Sequence, residues 1–243
     1  MTIKGLLSRV KMIPHVVGIA LRSFQLGVYA KQRRFKKYDG AFEDILSTLD
    51  PNRELTVTEE EAYTLFSSIK AVTNVKGAIA EFGVYQGASA RIICEVKESK
   101  PIYLFDTFEG MPNEKITDKD RWRADTHKDT DQASVSHYLQ EFDNKTFVPG
   151  IFPESVMNRP DLDQVRYSFV HLDVDLYEST IAALTYFFPK IVPGGRLVSH
   201  NYNLKDTDGG NTPGVKRAFD EFFSHCSSIV IEIAETQCIV IKS

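Results

Sequence analysis

The feature that most constrains this chain is a repeated unit. A short apolar run ends on an acidic or polar residue and hands over to an amphipathic helix. Ala78-Ile79-Ala80 ends at Glu81, and Ile102-Tyr103-Leu104-Phe105 ends at Asp106. Tyr167 to Leu172 runs into Asp173-Val174-Asp175, and Arg196 to Ser199 runs into His200-Asn201. Thr146-Phe147-Val148 belongs to the same series. Strands alternating with helices form a parallel sheet covered on both faces. Two last runs, Ser228 to Ala234 and Gln237 to Ile241, are separated by only a short turn and supply an antiparallel edge. The expected fold is therefore α/β, a doubly wound, mostly parallel, seven-stranded sheet. Ligands of such sheets bind beyond the carboxyl ends of the strands, where Glu81, Asp106, Asp173, Asp175, His200 and Asn201 gather.

The helices have their own signals. Thr58 and Glu61 have capping-box spacing, and Ala62, Leu65, Phe66, Ile69 and Val72 follow as a buried stripe. Gly87 opens the next helix. Further helices are expected around Ala133 to Phe142, through Ile181 to Leu184, and from Gly214 to Ser224 with Thr212 as N-cap. Pro193-Gly194-Gly195 reads as a turn into the following strand. From about Thr107 to Asp131 the chain is polar and long, as in a functional or disordered connection.

Charge divides the chain. The first forty residues hold nine basic side chains against Asp39 alone, so the remainder carries −12 within an overall −4. Residues 1–50 are expected to form a basic helical extension and residues 51–243 the main domain. The extension suits packing on the body or on a second subunit of a homo-oligomer, or peripheral contact with a membrane surface. No apolar run approaches the roughly 20 residues of a bilayer span, and Arg9, Lys11, His15 and Arg22 interrupt any signal-peptide pattern. Cys94, Cys226 and Cys238 are scattered, without disulfide or zinc spacing. Buried thiols in a reducing compartment fit best, and the expected localisation is cytoplasmic. No nucleic-acid partner is expected.

Glu81-Phe82-Gly83-Val84-Tyr85-Gln86-Gly87 is a glycine loop between a strand and a helix. Its G-x-x-x-G spacing is not the dinucleotide fingerprint. A carboxylate at Glu81 repels a pyrophosphate but suits a ligand with an ammonium group, as in S-adenosylmethionine (SAM). Asp106, at the end of the next strand, stands where an acidic residue accepts hydrogen bonds from ribose hydroxyls.

These segments resemble the macrocin O-methyltransferase family of SAM-dependent sugar O-methyltransferases. The match continues through Phe105-Asp106-Thr107-Phe108-Glu109-Gly110-Met111-Pro112 and Val148-Pro149-Gly150-Ile151-Phe152-Pro153-Glu154-Ser155. It extends to His171-Leu172-Asp173-Val174-Asp175-Leu176-Tyr177-Glu178-Ser179 and Pro193-Gly194-Gly195, and spans approximately residues 50 to 240. The resemblance implies the Rossmann-like methyltransferase sheet, SAM as cofactor, and methyl transfer to a sugar hydroxyl of a glycosylated natural product or glycan. Glu81 would hold the methionine ammonium and Asp106 the ribose, with Asp131 to Ser134 near adenine and the stretch after Phe108 as a lid. Phe82, Gly83, Tyr85, Gly87, Ser89, Thr107, Phe108, Ser134 and Asp173 complete the expected cofactor set. The competing readings are a non-catalytic or metal-independent SAM-binding homologue and, against the glycine spacing, an NAD-dependent oxidoreductase.

The resemblance further implies a divalent ion, usually magnesium, held by a first Asp that matches Asp173 and by an Asp-Asp pair. Asp175 matches a proposed general base. The Asp-Asp pair falls on His200-Asn201, so Asp173, His200 and Asn201 are the expected metal ligands here. A nitrogen donor shifts preference away from magnesium toward transition metals. Three outcomes stay open: a different or weaker metal, a metal-free site with His200 as general base, or a site that has lost catalysis. In the polar stretch, Trp122 between Arg121 and Arg123 suits stacking on a sugar or a solvated loop.

Overall fold

The computed structural model describes residues 39–120, 122–123, 126–203, 213–224, 226, 228–233 and 236–243. The chain divides into two units between Thr48 and Leu49. In the first, helix α1 (Gly40–Ser47) is N-capped by Asp39, whose carboxylate accepts from the Ala41 N–H. The rest of the basic N-terminal segment lies outside the described residues, as does Thr212.

The second unit is built on one seven-stranded sheet. Its strands are β1 (Ala78–Phe82), β2 (Ile102–Asp106), β3 (Lys145–Pro149), β4 (Tyr167–Leu172), β5 (Ile191–Ser199), β6 (Val230–Glu232) and β7 (Cys238–Ile241). They lie in the order β3-β2-β1-β4-β5-β7-β6. β1 to β5 are parallel, whereas β7 runs antiparallel to both β5 and β6. This is the expected sheet with its antiparallel edge. One boundary differs. Pro193-Gly194-Gly195 lies inside β5 rather than before it, as a bulge over which Tyr167↔Ile191 pairing gives way to Phe169↔Arg196. Gly194 takes φ +79 and its N–H donates to the Lys242 carbonyl.

Helices α2 (Glu59–Lys70), α3 (Ala88–Val96), α4 (Gln132–Tyr138), α5 (Pro160–Asp163), α6 (Tyr177–Phe187) and α7 (Pro213–Phe223) accompany the strands. The capping box at α2 forms in both directions, with Thr58 accepting from Glu61 N and Glu61 accepting from Thr58 N. No helix among the described residues is long and apolar enough to cross a membrane. Two apolar clusters cover the sheet's faces. One contains Phe82, Phe105, Phe152 and Phe187, with Phe82 and Phe152 4.9 Å apart and Phe105 and Phe187 5.1 Å apart. The other contains Ile79, Leu104, Phe169 and Val198. Cys94 and Cys238 are buried thiols, and burial pushes Cys94 up to about 12.

Period-two alternation explains one buried pair. Glu81 and His171 stand opposite each other in the β1–β4 register, on the same face as Ile79 and Phe169. Both are fully buried. A carboxylate there needs a partner, and the His171 Nδ1 lies 3.0 Å from its Oε1.

Candidate active site

The ends of β1, β4 and β5 are level. Phe82 pairs with Leu172, and Leu172 with Ser199. The ladder continues one residue further, since Asp173 N–H donates to the Phe82 carbonyl and His200 N–H to the Leu172 carbonyl. Gly83, Asp173 and His200 therefore stand in a row at the carboxyl edge. A cavity of about 420 Å³ opens there, within the usual range for small-molecule sites.

Gly83 is required by packing. It takes φ +91, and a Cβ would stand 1.9 Å from the Asp173 carbonyl oxygen. The loop is braced by Asp106, whose Oδ2 accepts from Val84 N (2.7 Å) and Tyr85 N (2.9 Å), while its Oδ1 accepts from Phe108 N (2.8 Å). Arg53 ties the far side of the loop to α4, donating to the Gln86 carbonyl (2.5 Å) and to Ser134 Oγ (2.8 Å).

Of the expected cofactor set, Phe82, Gly83, Tyr85, Ser89, Asp106, Thr107 and Asp173 line the cavity. Four do not. Glu81 is buried beneath it against His171, its Oε2 lacks a hydrogen-bond partner among the described residues, and burial raises its carboxyl above the usual range despite the His171 hydrogen bond. Gly87, in the left-handed region at φ +85, caps α3, where a Cβ would meet Val135 at 2.9 Å. Phe108 packs on Phe147 in the core. Ser134 is taken by Arg53, and it is Thr130 that lines the wall, its hydroxyl donating to the Tyr85 carbonyl.

The polar stretch from Thr107 to Asp131 covers the cavity with Met111, Pro112, Trp122, His127 and Thr130. Trp122 is thus a wall residue, 5.6 Å from the His127 ring, and its Nε1 has no hydrogen-bond partner among the described residues. Asp120 anchors the stretch: its Oδ2 accepts from Thr117, and its Oδ1 accepts from Tyr177 N (2.8 Å), capping α6 from a distance. Asp175 therefore does not cap this helix.

His200, Asn201, Asp173 and Asp175 do come together on the opposite wall. His200 is held on both ring nitrogens, Nδ1 3.1 Å from Asp173 Oδ1 and Nε2 3.0 Å from Glu61 Oε2. Glu61 is only 1% exposed and accepts three more hydrogen bonds, from Thr58 N, Thr236 N and Thr236 Oγ1, around its two oxygens. Burial opposes the charge on each group, but mutual contact outweighs it. His200 is pushed up to about 11 and Glu61 down to about 2, while Asp173 is also lowered. Asp175 has no direct ion pair of this kind among the described residues, and the His200 charge only partly offsets its burial. Burial and the Asp173 charge raise it to about 7. Its Oδ1 accepts from the Asn201 side-chain amide, and both residues hold left-handed backbone, at φ +62 and +58. Paired strain of this kind collects at functional sites.

These side chains do not fit a metal. Each nitrogen of His200 faces a carboxylate and so carries a proton, leaving no lone pair for coordination. The Asn201 amide is turned toward Asp175. Among the described residues no group of three or more His, Cys, Asp or Glu is disposed to hold an ion. In this arrangement Asp173, His200 and Asn201 are turned to protein partners rather than toward an ion, and both ring nitrogens of His200 are engaged. The signal that sequence alone could not supply is Glu61, whose capping-box role conceals its contact with His200.

Known proteins share this architecture. The chain is 28% identical over 146 residues to the 8-demethyl-8-(2,3-dimethoxy-alpha-L-rhamnosyl)-tetracenomycin-C 4'-O-methyltransferase of Streptomyces olivaceus, covering 54% of each chain. It is 26% identical over 147 residues to the mycinamicin III 3''-O-methyltransferase of Micromonospora griseorubida, covering 53% of this chain and 56% of that one. The chain thus spans about half the length of the curated relatives it matches. In fold it is similar to the O-methyltransferase NovP, with a TM-score of 0.68, 21% identity and coverage of 79% of this chain and 83% of that one. CalS11, a calicheamicin methyltransferase, follows at a TM-score of 0.62 and 17% identity, covering 83% and 90%. Residues 63–224, which carry β1 to β5 and both walls of the cavity, match the model of the macrocin-O-methyltransferase (TylF) family, and the chain belongs to that family.

Proposed function

We propose that the chain is a SAM-dependent O-methyltransferase acting on a sugar hydroxyl of a glycosylated small molecule or glycan. The observation that carries this reading is a single cavity shared by the glycine loop and Asp175, a buried carboxylate poised near neutrality. The cavity residues suit the cofactor. Asp173, kept anionic next to Gly83, takes over the ammonium role expected of Glu81. Asp106 offers its remaining acceptor capacity to ribose hydroxyls, after bracing the loop. When bound, SAM supplies an activated methyl group on a sulfonium.

The protein's own tasks are alignment and proton removal. Asp175 would take the proton from the acceptor hydroxyl, with bound SAM giving up its methyl group by cleavage of the carbon–sulfur bond and leaving as a neutral thioether. The Asn201 amide fixes the orientation of that carboxylate. Trp122 and Met111, on the covering stretch, exclude water and present an apolar surface to the sugar. The supporting relatives act, by name, on a rhamnosyl tetracenomycin and on mycinamicin III.

The test is calorimetry with SAM and with NAD, followed by methyl transfer to a panel of deoxysugar glycosides. SAM binding and turnover on a glycoside are expected. NAD binding without SAM binding would overturn the reading.

A further inference from the structure

We propose that the His200 side chain, clamped between Glu61 and Asp173, is a built-in cation that makes this site independent of any divalent metal. The inference rests on the methyltransferase reading only for its consequence in catalysis, not for the chemistry of the clamp.

The argument is one of donor saturation. An imidazole ligates a metal through a nitrogen lone pair. Here Nδ1 lies 3.1 Å from Asp173 and Nε2 3.0 Å from Glu61, and both acceptors are carboxylates. Two anionic acceptors on two ring nitrogens require two N–H donors, which is the imidazolium. Glu61 cannot turn away to free a nitrogen, because Thr58 N, Thr236 N and Thr236 Oγ1 hold it in place. The anchors come from α2, from the end of β4 and from the turn before β7, so three separate parts of the domain converge on one ring. His200 is 7% exposed and Glu61 1%, so water does not weaken the contacts by screening.

The surroundings support a fixed positive charge. The titratable groups facing this wall are Glu61 from α2, Asp173 and Asp175 after β4, Asp120 from the covering stretch, which acts on Asp175, and the buried Glu81–His171 pair of the sheet, which acts on Asp173. His171 is taken up by Glu81, and His200 is the histidine in direct contact with Asp173. Asp173 meets the ring through its Oδ1, while the Asp175 carboxylate is held by the Asn201 amide and lines the cavity. His200 is on this view a positioning residue: it sets the charge of Asp173 and does not itself exchange a proton with the acceptor.

The experiment uses the full chain and needs no acceptor. Mg2+ and Mn2+ are titrated separately into EDTA-treated protein and followed by calorimetry and by Tm. Nitrogen NMR of the histidine side chains is recorded at about pH 8, where an ordinary histidine is neutral. His200→Asn identifies the His200 signals by their loss, and if that variant does not fold, they are assigned through the wild-type backbone. The expected result is no metal binding heat, an unchanged Tm, and two protonated ring nitrogens on His200. Saturable Mn2+ or Mg2+ binding with proton release, or a His200 ring with one unprotonated nitrogen, overturns the proposal. Failure of SAM to bind would sink the functional reading and leave these results standing, so the two failures are distinguishable.

Discussion

Glu61→Gln removes one charge from the clamp while keeping the shape of the side chain. The Glu61 carboxyl lies at about 2, against 4.5 for an ordinary glutamate, and that gap corresponds to about 3 kcal/mol of folded-state stability at neutral pH. The figure falls at the lower end of the roughly 3–5 kcal/mol typical for removing one partner of a buried ion pair. For a domain of this size it corresponds to a Tm lower by roughly 10 °C. The pH dependence gives a second signature. A depressed carboxyl contributes in full above about pH 4.5, and its contribution disappears as pH falls toward 2. A raised imidazolium contributes in full below about pH 6.5 and is lost as pH climbs toward 11. The contribution of the Glu61–His200 contact should therefore hold a plateau between those limits and decline on both sides. In Glu61→Gln the acid decline flattens, because no carboxyl remains to protonate there, and the alkaline decline begins earlier, because the ring has one anionic partner instead of two. Calorimetric Tm values across the pH range, on both proteins, read both effects. A variant within a degree or two of wild type, or with an unchanged acid limb, would show that Glu61 is only a helix cap.

Three further perturbations probe the cavity. Asp175→Asn should reduce methyl transfer by about 10²- to 10⁴-fold, and wild-type kcat/KM should rise to a plateau above about pH 7. Because the raised carboxyl costs stability as pH passes from 3.8 through 7, the same variant should lose less Tm than wild type across that range, which thermal melts will check. Gly83→Ala, with a Cβ 1.9 Å from the Asp173 carbonyl and φ at +91, should abolish SAM binding in calorimetry or fail to yield folded protein. Asp120→Ala removes the cap of α6, at a cost of about 1 kcal/mol, and should speed hydrogen exchange in residues 113–123 relative to β4.

Where local pattern dictates structure, the sequence was legible. Apolar runs bounded by acids, polar residues or turns located the seven strands of the described residues, and the ends of β1, β2, β4 and β5 located the cavity. Asp173, Asp175, His200 and Asn201 came together as their strand-end positions required. Other contacts depend on chain segments far apart and leave no local trace. Glu61 and His200 are 139 residues apart, and Asp120 and Tyr177 are 57 apart. The glycine loop was found for a partly mistaken reason, since Gly83 makes room for the backbone of Asp173. Glu81 was assigned to the ligand on charge, yet in a strand buried on both faces its side chain points into the layer that holds His171, beneath the cavity.

The departure at His200-Asn201 is best understood through charge. Three carboxylates around a divalent ion, as the family resemblance implies, leave one net negative charge. Removing the ion alone would leave three acids crowded in a buried wall, at a cost of several kcal/mol per unpaired ion. Replacing the Asp-Asp pair by His and Asn changes both sides together. One acid becomes a cation and the other becomes a neutral amide, so Asp173 keeps an opposite charge beside it without any ion. A single substitution would not achieve this. Asn201 alone would leave Asp173 without a cation, and His200 beside an aspartate at position 201 would set a further negative charge next to Asp175. That charge would push Asp175 above neutrality and weaken it as a base at physiological pH. The two replacements are therefore coupled. Asn201→Asp should shift the kcat/KM plateau to higher pH, whereas a plateau that stays in place would separate Asn201 from the electrostatics of the base.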